Sequence, residues 1–255
     1  IIQLINDNNY LTITGGLELS NKFLNNKPFN YVVIDDFINK KFLENVENEI
    51  RNGKYKDDFK YANVRGIKPS PSVNKYVLED SNKHGKLTKQ LIKYLNSEKI
   101  INWLKYITNI KELLPDNFTM GGGVHLVKKG GYLNIHADFN MHLKTKKYRR
   151  LNLLLYINSN YKEEYNGHLE LWNKEMTKCE KKIAPIFNRI VIFRVNDDAY
   201  HGHREPWMGP DGKGRLALAM YYYTNDRPEH EKSTTTCAQW QTPKNISPNK
   251  YNFRF

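Results

Sequence analysis

Within Gly130-Gly131-Tyr132-Leu133-Asn134-Ile135-His136-Ala137-Asp138-Phe139-Asn140, an imidazole and a carboxylate stand two residues apart. On an extended strand, positions i and i+2 point to the same face, so His136 and Asp138 can hold one cation from one side. One further His completes a 2-His-1-carboxylate set, which leaves coordination positions on Fe(II) open for a co-substrate and O2. A surface His beside an Asp has the same H-x-D signature, so the third ligand decides. Tyr200-His201-Gly202-His203-Arg204 offers two candidates, shortly after the apolar Ile190-Val191-Ile192-Phe193. His201 is favoured, because the glycine that follows lets the backbone approach a crowded site closely. His203 then falls beside the site or toward solvent. His125, His142 and His168 are competitors. His142 sits in a basic loop and His168 opens a strand after Gly167, and neither is expected to bind metal.

A cation supplies the second half of the argument. Arg215-Leu216-Ala217-Leu218-Ala219-Met220-Tyr221-Tyr222-Tyr223-Thr224 alternates as a strand does. If Arg215 points inward, Ala217 and Ala219 share its face and leave room above the metal. A buried Arg needs an anionic partner. A dicarboxylate that chelates the metal at one end would supply that partner at the other, through a bidentate contact. In Arg149–Asn158, residues Asn152, Leu154 and Tyr156 share one face, and Leu151, Leu153, Leu155 and Ile157 the other. Tyr156 can therefore offer its hydroxyl to the same distal carboxylate.

These residues need a scaffold that brings several strands together. The first half reads as helical support. Ile38, Phe42, Leu43, Val46 and Ile50 recur at helical spacing and end at Gly53, and Leu87, Leu91, Ile92 and Leu95 form a second stripe. Ile100, Ile101, Leu104 and Ile107 form a third, between a break near Ser97 and Pro115. Tyr31-Val32-Val33-Ile34 predicts a short buried strand before the first of these helices. Lys54–His84, with Lys68-Pro69-Ser70-Pro71, is too long for a plain loop, and is either a lid or conceals short strands. From Gly121 onward come β-rich segments without intervening helices: Val124–Val127, Tyr132–Ala137, Arg149–Asn158, His168–Trp172, Arg189–Val195 and Arg215–Thr224. Such a series predicts a sandwich or barrel. After Arg227-Pro228 the chain turns polar. We therefore expect a support region over 1–117, part of the same domain as a β core over 118–227, and an irregular tail over 228–255.

Composition bounds the rest. The 255 residues carry 40 Lys+Arg against 27 Asp+Glu, a formal charge of +13, with 39% hydrophobic and 13% aromatic residues. That is enough apolar surface for a packed core. Two cysteines, Cys179 and Cys237, exclude a disulfide scaffold or a Cys-rich zinc module. No apolar run has membrane-spanning length, and Ile1-Ile2-Gln3-Leu4 lacks the basic n-region of a signal peptide, so a cytoplasmic location without membrane partners is expected. The chain starts at Ile rather than Met, which leaves room for an upstream segment. Lys accounts for 30 of the 40 basic residues, consistent with a compositional bias spread over the surface. The one concentrated run is Lys144-Thr145-Lys146-Lys147-Tyr148-Arg149-Arg150. It is either a solvated hairpin loop or an attractor for an acidic peptide, a phosphorylated sugar or nucleic acid.

Taken in order, the H-x-D segment, Arg149–Asn158, Asn166-Gly167-His168-Leu169-Glu170-Leu171, Pro185-Ile186-Phe187-Asn188-Arg189, His201-Gly202-His203 and Arg215–Thr224 resemble the iron(II)- and 2-oxoglutarate-dependent oxygenase superfamily, in its prolyl-4-hydroxylase-like branch. The likeness runs from Gly121 to Thr224, with a weaker match at Tyr31–Phe37. It implies an α+β fold whose core is a double-stranded β-helix (jelly roll, cupin-like) supported by N-terminal helices. It places Fe(II) on His136, Asp138 and His201, and the distal carboxylate of 2-oxoglutarate on Arg215 and Tyr156, with Asn152 and His125 beside the co-substrate. Arg149, Tyr221 and Arg204 are read as facing the substrate. O2 is the oxidant, with ascorbate as a supporting reductant. Related halogenases lack the carboxylate ligand, so Asp138 favours hydroxylation.

The chain also departs from the pattern. Pro206–Gly212 lengthens the segment before Arg215, so the arginine's role depends on that loop folding outward. Val127 stands where many relatives have Tyr, and His125, on the same face, is its candidate substitute. The resemblance favours a prolyl residue in a peptide or protein as substrate, with 54–84 closing over it; a small molecule or sugar intermediate is the alternative. Nucleic acid is disfavoured, since the next arginine after Arg215 is Arg227, too far for the arginine pair of nucleic-acid demethylases. A non-catalytic jelly-roll binding module is the alternative of another class, and the intact His136, Asp138, His201 and Arg215 set argues against it.

Overall fold

A computed structural model of the chain describes residues 4, 9–53, 58–62, 70–116 and 120–244. The three apolar stripes become helices: α2 over Lys40–Asn52, α3 over Lys86–Leu95 and α4 over Glu98–Thr108. Asn39 and Ser97 cap α2 and α4, each accepting a hydrogen bond from a backbone N–H three residues on. Ile38 stays outside α2, buried, with its backbone N–H and C=O both bonded to the Asn188 side chain at 2.9 and 2.6 Å. A further helix, α1, spans Ile13–Asn25 and is capped by Thr12. Its Gly16 lies against the Tyr106 ring of α4, where an added Cβ would come within 2.7 Å, so the glycine permits close packing of the two helices.

The remainder is a curled antiparallel sheet. In chain order its strands are β1 (Tyr31–Ile34), β2 (Lys60–Tyr61), β3 (Ser72–Leu78), β4 (Leu114–Pro115), β5 (Gly123–Ala137), β6 (Tyr148–Tyr156), β7 (Leu169–Trp172), β8 (Cys179–Ile183), β9 (Ile190–Arg194), β10 (His201–His203), β11 (Arg215–Thr224) and β12 (Gln239–Trp240). The main path of neighbours is β1-β9-β6-β11-β5-β10-β7-β8. Non-sequential neighbours of this kind are the signature of the double-stranded β-helix, and that is the core of the α+β fold. The two segments expected at Val124–Val127 and Tyr132–Ala137 are one strand, β5, with positive φ at Gly130 where its pairing with β3 shifts register. The region 54–84 conceals β2 and β3, and β3 adds a strand to β5; its 54–57 and 63–69 lie outside the described residues. The expected irregular tail holds one short strand, β12, which pairs with β5 beside His136; 245–255 lie outside the described residues.

Alternation on β6 and β11 divides the interior. Leu151, Leu153, Leu155, Leu216, Leu218, Met220 and Tyr222 join Phe42, Leu43, Val46, Leu91, Leu95, Ile100 and Leu104 in one core between sheet and helices. The opposite face, with Asn152, Leu154, Arg215, Ala217 and Tyr221, lines a cavity inside the curl. Burying the helix-facing layer fixes the strand register, and a shift of one residue would exchange the two faces. Among the described residues, no helix is long and apolar enough to cross a membrane.

Candidate functional site

The cavity has a volume of about 290 Å³. His136, Asp138 and His201 line it, and their ligating atoms all lie within 4.8 Å of one another. Among the described residues this is the single His/Cys/Asp/Glu group so arranged. β5 delivers His136, with Asp138 just past its end, and β10 delivers His201 directly across the ladder, paired with His136. The intervening Gly202 lies so near β5 that a Cβ would meet Asn134 O at 2.7 Å and Leu133 O at 2.8 Å.

The hydrogen bonds suit a metal. His136 Nδ1 lies 2.9 Å from Asn134 O, and His201 Nδ1 lies 2.9 Å from Ala199 O. A carbonyl only accepts, so both Nδ1 atoms carry the proton, and both Nε2 lone pairs are free for an ion. Those Nε2 atoms stand 3.7 and 3.4 Å from the two Asp138 oxygens. Donors at right angles around one ion, each about 2.1 Å from it, stand about 3 Å apart, so small rotations close the set. Burial works to raise the Asp138 carboxyl, but Arg149, His201 and His136 outweigh it and hold it well below the usual carboxylate range. Burial pushes the His201 imidazole down to about 4, which keeps it neutral and able to ligate.

Arg149 and Asn152 of β6 hold Asp138 in place. Asn152 Nδ2 donates to Asp138 Oδ2 at 2.6 Å, Arg149 NH2 donates to the same oxygen at 3.1 Å, and Asn152 Oδ1 accepts from Arg149 at 2.6 and 2.9 Å. The guanidinium is stacked over Tyr221 at 3.4 Å and over Phe139 at 4.5 Å. Burial favours deprotonation of Arg149, but Asp138 and Tyr221 more than compensate. The amide of Asn152, read from sequence as lying beside the co-substrate, is thus engaged with the carboxylate ligand.

Arg215 lines the same cavity and is 5% exposed. Its Nε donates to Gly167 O at 2.7 Å and its NH2 to the Tyr156 hydroxyl at 3.2 Å. No described carboxylate forms an ion pair with it, so this buried cation lacks the anion its environment calls for. No residue of Pro206–Gly212 lines the cavity. Trp207 packs against Tyr161 and Tyr165 instead, and its backbone bonds those of Gly130 and Gly131. Gly167, at φ +72°, admits both groups, since a Cβ there would lie 2.8 Å from Trp207 and 3.0 Å from Arg215. His125 and Val127 also line the cavity, and His125 Nε2 bonds Gly121 O at 3.0 Å.

Other candidates fall elsewhere. Arg204 does not line the cavity and lies over the Trp172 ring. His168 pairs with Glu163 at 2.7 Å, and His142 accepts backbone N–H bonds from Lys144 and Thr145. The basic run 144–150 is not one patch: Arg149 turns onto Asp138 and Arg150 onto Glu231, both buried. Sequence reasoning did not find Lys75 or Trp240. Trp240 lies over His136 with ring centroids 4.7 Å apart, and Lys75 enters the cavity from β3.

Residues 122–223 match the 2OG-Fe(II) oxygenase superfamily. No curated protein matches the chain. Among solved structures, a prolyl-4-hydroxylase from Pseudomonas putida aligns with a TM-score of 0.54 at 14% identity, over 82% of this chain and 99% of that one. A prolyl hydroxylase from Trichoplax adhaerens, in complex with a hypoxia inducible factor oxygen degradation domain peptide fragment, gives 0.59 at 18%, over 84% and 96%. HygX from Streptomyces hygroscopicus, with nickel, 2-oxoglutarate and hygromycin B bound, gives 0.52 at 11%, over 88% and 96%. At these identities the likeness is one of fold.

Proposed function

We propose that this chain, whose residues 122–223 match the 2OG-Fe(II) oxygenase superfamily, hydroxylates an unactivated C–H bond of a prolyl residue in a peptide or protein. The observation that carries the chemistry is a single cavity with His136, Asp138 and His201 clustered in it and an unanswered Arg215 lining the same space. In this reading Fe(II) and 2-oxoglutarate, when bound, couple decarboxylation of the co-substrate to transfer of one oxygen atom from O2 into the substrate. The two Nε2 atoms and Asp138 would hold the metal, as a 2-His-1-carboxylate set does. Arg215 would receive the far carboxylate, and Tyr156, bonded to Arg215, keeps the guanidinium aimed. Tyr221 packs over Arg149 and walls the cavity beside Asp138. The prolyl assignment draws its support from the sequence resemblance. A small molecule or sugar intermediate is the second reading, favoured by a cavity at the small end of the range for ligand pockets.

The protein, incubated with Fe(II), 2-oxoglutarate, ascorbate and O2, should release succinate and add 16 Da to a member of a peptide and metabolite panel. A peptide product hydroxylated on proline supports the first reading, and a metabolite product the second. Anaerobic Fe(II) and 2-oxoglutarate should give a weak visible charge-transfer band that His136→Ala abolishes. Absence of both band and succinate would leave a binding module instead.

A further inference from the structure

Metal ligands and Arg215 do not account for every polar group in the cavity. Ser72, Lys75 and His203 line it as well. Strand register places them. Lys75 pairs with Val127, which on its other side pairs with Arg215, so β3, β5 and β11 carry these residues in one row. Two strand spacings put the Lys75 and Arg215 backbones roughly 10 Å apart. In the next part of the ladder, Ser72 pairs with Leu133, which pairs with His203.

All three are poorly satisfied. Ser72 Oγ and His203 Nδ1 are buried without a hydrogen-bond partner, in residues only 2% and 4% exposed. Buried polar atoms in native proteins are nearly always bonded, so two orphans in residues that line one cavity point to a partner not among the described side chains. No ion pair ties the Lys75 ammonium to any described residue. Asp138, the carboxylate that lines the cavity, is taken up by Arg149, His136 and His201. Burial pushes the Lys75 amine down to about 8, with Asp138 and Glu79 pulling it up and Arg215 and Arg149 pushing it further down. The cavity therefore has one cation more than the metal set and the co-substrate employ.

We infer that Ser72, Lys75 and His203 form a second anion subsite in this cavity, separate from Arg215, that receives a carboxylate or phosphate group of the substrate. The hydroxyl, the ammonium and the Nδ1–H of a neutral imidazole are three donors, which suits an oxyanion with several lone pairs. The inference rests on the dioxygenase reading and adds to it the charge of the substrate.

Inorganic phosphate is the simplest probe. The protein is loaded with Mn(II) and saturating 2-oxoglutarate, and phosphate is titrated in while its 31P relaxation by the paramagnetic ion is read. Saturable relaxation that persists at saturating 2-oxoglutarate is expected. Lys75→Met and Ser72→Ala should each weaken it roughly tenfold, and Lys75→Arg should restore it. Three results would overturn the subsite: no saturable effect in the wild type; competition with 2-oxoglutarate, which would assign these residues to the co-substrate; or binding indifferent to Lys75→Met, which would place phosphate on the metal or the surface. The Fe(II) and 2-oxoglutarate band, read on the same Lys75→Met protein, should be unchanged. A wild type without that band fails the dioxygenase reading and not the subsite alone.

Discussion

Asp138 Oδ2 is the point where the candidate metal set meets its support. It receives the Asn152 amide and the Arg149 guanidinium while standing 3.4 Å from His201 Nε2. Asn152 is the hinge of this arrangement, because its Oδ1 also fixes Arg149. Replacing Asn152 by Leu keeps the branched shape and removes all three hydrogen bonds. Metal affinity should fall by roughly 10- to 100-fold with all three ligands intact, the range seen when partners of metal ligands are lost. Anaerobic Fe(II) titration measures it, and unchanged affinity would show that packing alone orients Asp138. The H-x-D spacing, the later His-Gly-His and the alternation around Arg215 were legible because each depends only on local strand periodicity. The role of Asn152 was not: alternation showed which face it occupies, but its partners depend on how the chain between β5 and β6 returns.

At the scale of elements, the junction of β10 and β5 is the tightest constraint on His201. Gly202 lies between His201 and His203, and any side chain there would press on the carbonyl oxygens of Asn134 and Leu133. Gly202→Ala must push β10 away from β5 and carry His201 away from His136. Overpacking of this kind costs about 1–3 kcal/mol. The expected result is a protein that folds, with a lowered unfolding midpoint and a metal affinity reduced more than that stability loss alone would imply. Equal stability and affinity to wild type would mean that β10 has slack. The helices α2, α3 and α4 were readable from stripes of apolar residues that bury one face. One element, α1, escaped, and β3 was legible only as one of two readings of 54–84, each for a definite reason. In α1, Gly15-Gly16 lowers the intrinsic helix propensity, and the packing of Tyr106 against Gly16 is what gives the glycine its place. In β3, Ser72-Val73-Asn74-Lys75-Tyr76 mixes polar and apolar residues, because its outer face meets solvent and its inner face meets a polar cavity.

For the whole molecule, the buried histidines set the response to acid. Burial is the largest cause that holds His84, His125, His201 and His203 below the ordinary 6.5, His201 at about 4. The unfolded chain accepts protons on all four near 6.5, whereas the folded chain resists until lower pH. Stability rises with pH wherever the unfolded state binds more protons. Their contribution is therefore complete above about pH 6.5 and is lost as pH falls toward 4. Glu79 and Glu170 act in the opposite direction, since burial raises both and the folded state takes their protons first. Two such groups do not offset four histidines, one of them displaced to about 4. The metal-free protein should show a urea midpoint that declines steadily from pH 7 to pH 4.5. His84→Gln should flatten part of that decline: His84 is away from the cavity, and a Gln can keep the donor to Leu78 O that His84 Nε2 supplies at 2.9 Å. A level profile would mean that the folded protein accommodates imidazolium at these positions. The same burial that makes the empty fold sensitive to acid keeps His201 Nε2 unprotonated at neutral pH, so acid sensitivity and readiness for a metal share one physical origin.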